Sequence, residues 1–222
     1  MDIQASTESP VDCTVDYLEL LVEVGRQAGL DAVGAAGAEP FTGVRSELER
    51  RRKAGLHGGM QFTYRNPERS TTPARILPGA RSLVVGALRT AAPRLSEVAP
   101  GRLRIAAYAR HDYYATLREA LGRVARRLEA DGWQARVVAD DNALVDREAA
   151  VRAGIGWYGK NANVLIPGRG SWFVLGSVVT DAPLPEGQPM GDGCGSCRRC
   201  LDSCPTGAIV APGVVDARRC LA

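Results

Sequence analysis

A mixed α/β domain followed by a small cysteine-rich module is the architecture the sequence predicts, and three observations predict it. Helical and strand periods are interspersed through positions 1–186. A Pro- and Gly-rich run, PLPEGQPMGDG at 183–193, then breaks the pattern. Beyond it lie five of the six cysteines, all within the last 29 of 222 residues. The composition, 45% hydrophobic and 24% charged, supports a real core and excludes disorder along the whole length. The net charge of +3 gives no global field for a polyanionic partner, though it leaves room for a local basic patch.

The elements follow in order. In residues 14–28, Leu18, Leu21, Val22 and Gly25 share one helical face, and Gly29 stops the helix. LDAVGAAGAEPF reads as a short buried strand leaving into a loop, and FTGVRSELERRRKAG as a charged helix ending at Gly55. Residues 57–80, rich in Gly, Pro and polar side chains without a period, predict a long irregular connection of the kind that carries function. RSLVVGALRT is β-branched and apolar enough for a buried strand, and RIAAYAR is a second strand expectation. Leu117, Leu121, Val124, Ala125 and Leu128 then recur at helical spacing, with arginines on the other faces and Gly132 as the stop. WQARVVAD is a strand ending at Asp140, ALVDREAAVRAG a short helix stopped by Gly154, and SWFVLGSVVTD a further buried strand. The acidic N-terminus has no Lys or Arg before Arg26 and lacks a secretory pattern. With no apolar run of about 18 residues or more, a cytoplasmic chain without a membrane span is expected.

Cys194, Cys197, Cys200 and Cys204 spell C-x2-C-x2-C-x3-C-P, the bacterial ferredoxin spacing for a [4Fe–4S] cluster. Three thiolates two residues apart can hold three corners of one cubane. Structural zinc usually pairs two CxxC groups across a longer gap, and disulfides are disfavoured in a cytoplasmic chain. In two-cluster ferredoxins the fourth Cys of such a run serves the other cluster, where Cys204 would join Cys220. Two cubanes need eight thiolates and this tail has five, so the expectation is a fragment of a longer protein, or a single-cluster variant. Cys13, isolated near the start, reads as an incidental thiol.

The cysteine motif does not stand alone. NPERSTTPARILPGARSLVV, AYARHDYY, ADDNALVDREAAVRAGIGWYGKN and GSWFVLGSVVTD, together with the tail, resemble the epoxyqueuosine reductase family over most of residues 20–222. The resemblance implies an α+β cobalamin-binding domain at 1–186, a mixed sandwich similar to nitroreductase-like folds, and a ferredoxin-type iron–sulfur domain at 187–222, incomplete at its C-terminal end. It implies two [4Fe–4S] clusters in the full-length family, a tRNA carrying epoxyqueuosine as partner, a low-potential electron donor, and a monomer. The family's reaction deoxygenates the epoxide at the tRNA wobble position, the last step of queuosine biosynthesis. A similar architecture occurs in corrinoid reductive dehalogenases.

Carried over residue by residue, the resemblance makes Asp140 the catalytic proton donor, with Asp141 the close alternative. Either could instead cap the following helix, a common task for Asp. Cofactor-binding expectations are Tyr108, Tyr113, Asp140, Arg147, Trp157, Lys160, Asn161 and Ser171; the metal ligands are Cys194, Cys197, Cys200, Cys204 and Cys220. Trp157 could equally be core packing, Arg147 a helix-surface ion pair, and the two tyrosines amphipathic core. His57 and His111, the only histidines, are not expected as axial cobalt ligands, and Arg69 is a weaker expectation because the family arginine aligns with Ser70. Two other functions share these parts: a cobalamin-dependent reductase of a small molecule, and a non-catalytic electron-transfer or corrinoid-carrier protein.

Overall fold

The computed structural model describes residues 12–90, 101, 102, 105 and 107–221. Helix α1 (Val15–Gln27) starts where the Thr14 hydroxyl accepts from the Tyr17 amide at 3.3 Å. Then come β1 (Ala32–Gly37), α2 (Thr42–Lys53), α3 (Phe62–Arg65), α4 (Pro67–Ser70) and β2 (Ser82–Arg89). Next are α5 (Tyr113–Ala130), β3 (Ala135–Ala139), α6 (Asp146–Arg152) and a hairpin of β4 (Trp157–Tyr158) and β5 (Val164–Leu165). The chain continues through β6 (Phe173–Thr180) and α7 (Arg199–Asp202) to a second hairpin, β7 (Ile209–Ala211) and β8 (Val214–Val215).

The central sheet has the order β1-β2-β6-β3, with every pairing antiparallel. This makes the domain α+β, as the resemblance implied. Period-two alternation in β2 sends Val84 and Leu88 to one face and Leu83, Val85 and Ala87 to the other. On the first face Leu21 of α1 and Leu117, Leu121, Val124 and Leu128 of α5 complete a fully buried cluster. On the second, Phe41, Leu144, Ala149 and Ala150 pack beside Val179. Gly86 and Gly176 are register partners on β2 and β6, and a Cβ on either would come within about 3 Å of a Leu121 methyl. Their missing side chains let α5 lie close on the sheet.

Two expectations change. AYAR is a 3-10 turn (Ala107–Arg110), and the expected strand through RIAAYAR does not form over its described part. Arg110 folds its guanidinium back onto the Ile105 carbonyl at 3.1 and 3.2 Å, and Asp112 at once caps α5 through the Ala115 amide at 2.8 Å. That leaves no length for a strand; residues 103, 104 and 106 lie outside the described set. The connection at 57–80 is partly helical, because Asn66 accepts from the Arg69 amide at 3.0 Å and Pro67 occupies the first position of α4. Among the described residues no helix is long and apolar enough to cross a membrane.

Candidate active site and cysteine module

At the C-terminal end of β3 the chain turns sharply. Asp140 has φ +56°, a left-handed conformation that Asp tolerates better than most residues, and it delivers Asp140, Asp141 and Asn142 to the rim of a cavity of about 480 Å³. Asp141 Oδ1 accepts from the Ala143 amide at 2.8 Å, and the Ser70 hydroxyl donates to the Asn142 carbonyl at 2.5 Å, so both sides of the turn are tied down. Val145 is the cap residue of α6 and no side chain caps it. Neither aspartate therefore does the capping task that was the alternative to chemistry.

The remaining walls come from several elements. Tyr114 of α5, Asn163 and Val164 at β5, and Ser171 and Phe173 at the start of β6 line the cavity, and Met60, Phe62 and Tyr64 form its mouth. Arg147 also lines it, donating through Nη1 to the Ala162 carbonyl at 2.6 Å, and forms no salt bridge among the described residues. Asp146 is the third aspartate of the lining. Its Oδ1 is closed to solvent and has no hydrogen-bond partner, although the residue as a whole keeps partial exposure. Burial, and then the charge of Asp140, push its carboxyl up to about 8 against the opposing pull of Arg147. The Tyr114 phenol is also raised, first by burial and then by Asp140 and Asp146.

Of the residues predicted for this site, Asp140, Asp141, Arg147 and Ser171 line the cavity. The others lie elsewhere. Tyr108 is 61% exposed on its 3-10 turn. Tyr113 packs against the α1–α5 cluster with its ring edge-on to His111. Trp157 stacks against Gly193, where a Cβ would come within 2.5 Å of the indole. Lys160 donates to the carbonyls of Gly195 at 2.6 Å and Cys197 at 3.0 Å, and Asn161 Oδ1 accepts from the Asn163 amide at 3.1 Å. Sequence reasoning missed Asp146, Tyr114, Asn142 and Asn163. A usable signal for Asp146 existed: its carboxyl follows Leu144 and Val145 and precedes Ala149 and Ala150 on the short expected helix, an apolar setting for an acid.

The cysteine module begins where Asp192 Oδ1 accepts from the Cys194 amide at 2.8 Å. Its five thiols are in no disulfide; Cys194, Cys200 and Cys204 are half-buried, and Cys197 and Cys220 exposed. Among the described residues no three His, Cys, Asp or Glu side chains converge closely enough to hold a metal ion. The donor chemistry nevertheless suits a sulfide cluster at Cys204. Its Sγ accepts from the Ala208 amide at 3.2 Å, and the amides of Ile209, Ala208 and Thr206 hold the thiol below its ordinary value. The cavity is also of cofactor size, and Asn142, Arg147, Asn163 and Ser171 supply the donors that a ring edged with amides would need.

Two family models match parts of the chain. The family described as "Epoxyqueuosine reductase QueG, DUF1730" matches residues 70–141, and a "4Fe-4S double cluster binding domain" matches residues 193–222. The chain spans little more than half the length, 57%, of the first curated relatives it matches. It is 36% identical to the epoxyqueuosine reductase of Synechococcus sp. (strain RCC307), across 98% of this chain and 68% of the relative. A crystal structure of selenomethionine-labelled epoxyqueuosine reductase superposes with a TM-score of 0.83 at 34% identity, covering 92% of this chain and 56% of the other. A structure of epoxyqueuosine reductase with an epoxyqueuosine-modified tRNA-Tyr stem loop gives 0.79 at 32% identity, with the same coverage. An antiparallel sandwich carrying an acid-lined cavity, joined to a thiol loop and alike in sequence over nearly its whole length, places the chain in the epoxyqueuosine reductase family.

Proposed function

We propose that this chain carries the catalytic cavity and part of the electron-delivery module of an enzyme that reduces epoxyqueuosine to queuosine in tRNA, closing queuosine biosynthesis. The observation that carries this reading is the connection, through residues 160–162, between the wall of the acid-lined cavity and the cysteine loop. Arg147, on the cavity wall, holds the Ala162 carbonyl, and two residues earlier Lys160 holds the carbonyls of Gly195 and Cys197. The family's relatives, one of them solved with a modified tRNA stem loop, support the substrate class. Residues 1–186 would form the cobalamin-binding domain and 187–222 part of the ferredoxin-type module. Cobalamin and [4Fe–4S] clusters are the implied cofactors, with a low-potential electron donor and a monomeric, cytoplasmic enzyme.

When bound, cobalamin would supply a low-valent metal able to act on the epoxide carbon. The chain's own residues do the rest. Asn142, Asn163, Arg147 and Ser171 would hold the cofactor's polar periphery. Asp140, presented by its left-handed turn and anchored through Asn142 to Ser70, would donate a proton to the departing oxygen. Phe62, Tyr64 and Phe173 would keep water from the reacting centre. Cys194, Cys197, Cys200, Cys204 and Cys220 would ligate the clusters.

Anaerobic incubation of the reconstituted chain with an epoxyqueuosine stem loop and a chemical reductant tests the reading by mass spectrometry of the nucleoside. Loss of one oxygen is expected, and Asp140→Asn should abolish it while corrinoid binding persists. A chain that binds iron and corrinoid yet removes no oxygen is a carrier and not a reductase, and oxygen loss that Asp140→Asn leaves unchanged refutes Asp140 as the proton donor.

A further inference from the structure

The cavity holds three aspartates, and the mechanism above uses one. Asp146 opens α6 with an Oδ1 that has no partner and no access to solvent. The groups facing it are Asp140 and Asp141 from the turn after β3, Arg147 beside it, and Tyr114 from α5, on which Arg118 also acts. The strands packed against α6 contribute apolar side chains here, Val164 and Phe173 among them. An ionised carboxylate in this position would lack a donor for one oxygen and would have two like charges nearby. Arg147, the available cation, already gives Nη1 to a carbonyl. The neutral acid is the form the surroundings favour.

Deoxygenation of an epoxide breaks two C–O bonds, leaves a C=C bond and releases water. It consumes two electrons, supplied by a low-potential one-electron donor through the iron–sulfur module, and two protons. A single carboxyl at Asp140 carries only one of them.

We propose that Asp146 is the second proton-holding group of the cavity, its neutral carboxyl holding one proton beside the one that Asp140 donates, so that the two residues together deliver both protons that leave with the oxygen. The proposal rests on the epoxide-reduction reading. Asp146 passes its proton on through Asp140, whose charge acts on it in the same cavity.

Carboxyl-carbon NMR of the isotope-labelled chain tests the pair directly, the Asp146 signal being the one lost in Asp146→Asn. The proton should stay on Asp146 past neutral pH, and Asp140→Asn should shift its midpoint downward. A midpoint in the ordinary carboxylate range, or one indifferent to Asp140→Asn, overturns the proposal. The rate of stem-loop reduction against pH gives the second readout. Asp146→Asn should slow reduction at pH 7.5 by about 100-fold, the low end of general-acid contributions, and move the alkaline limb to lower pH. Asp146→Glu, which restores a carboxyl, should recover the limb. An unchanged rate and limb in Asp146→Asn refute the proton pair and leave the epoxide reading in place. A proton retained on Asp146 past neutral pH, with its midpoint sensitive to Asp140→Asn, in a chain that reduces no epoxide supports the pair and refutes that reading.

Discussion

Asp146 is as informative about folding as about chemistry. Its carboxyl is raised from an ordinary value of 3.8 to about 8 in the folded chain, so over that interval the folded state binds its proton more tightly than the unfolded state does. Its contribution to stability is fully present below about pH 4 and is lost as pH rises towards 8, at no more than about 1.4 kcal/mol per unit. Urea unfolding at pH 5 and pH 8 should show a decline in the wild type that Asp146→Asn flattens; equal slopes would contradict this assignment. Ser70→Ala should act differently. It removes the hydroxyl that ties the Asn142 carbonyl, loosening the turn that presents Asp140. Turnover should fall while thermal stability drops by only about 1 kcal/mol. Asp140 was reached through the family resemblance, by alignment back from the AGIGW run, and not from the period of its neighbours. Tyr114 was missed, because the AYARHDYY segment identifies the neighbourhood without the face. Adjacent helical residues point about 100° apart, and the Asp112 cap sets the register that turns Tyr114, and not Tyr113, into the cavity.

The strands and long helices were readable for a simple reason: their apolar periods are set by the faces they bury, as β2 and α5 show. What periodicity cannot display is a close approach made by absence. Gly86 and Gly176 look like interruptions in apolar strands, yet together they form the seat of Leu121. In Gly176→Ala the new Cβ would meet Leu121 and the Ala139 Cβ at 2.8 Å and the Val138 carbonyl at 3.0 Å. Destabilisation by about 1–3 kcal/mol is expected from overpacking, measurable by denaturant titration. Beside their apolar contact, α1 and the end of α5 also share a polar tie. The Tyr17 hydroxyl donates to Asp131 Oδ2 at 2.8 Å, and Arg127 donates to the same oxygen at 2.6 Å. Because Arg127 remains after Tyr17→Phe, the carboxylate stays paired and the loss should be about 1 kcal/mol. The RIAAYAR expectation failed where a side-chain bond, Arg110 to Ile105, competed with extended backbone.

Cavity and cysteine loop are separate in sequence, and Lys160, two residues before the Ala162 carbonyl that Arg147 holds, is the residue that reaches the loop. The resemblance pointed to Lys160, but towards the corrinoid; its reach to the carbonyls of Gly195 and Cys197 was invisible because loop-to-loop contacts leave no period. Lys160→Met should leave corrinoid retention intact and lower the rate of cluster-to-cavity electron transfer. Stopped-flow reduction of the bound corrinoid checks this, an unchanged rate counting against the connection. The most direct test of the account is to reconstitute the chain anaerobically with iron, sulfide and cobalamin, separate the protein from free reagents, and measure iron and cobalt with the optical spectrum. Retention of both metals, with loss of iron in Cys197→Ser and no loss of cobalt, is the predicted result; iron without cobalt would contradict it.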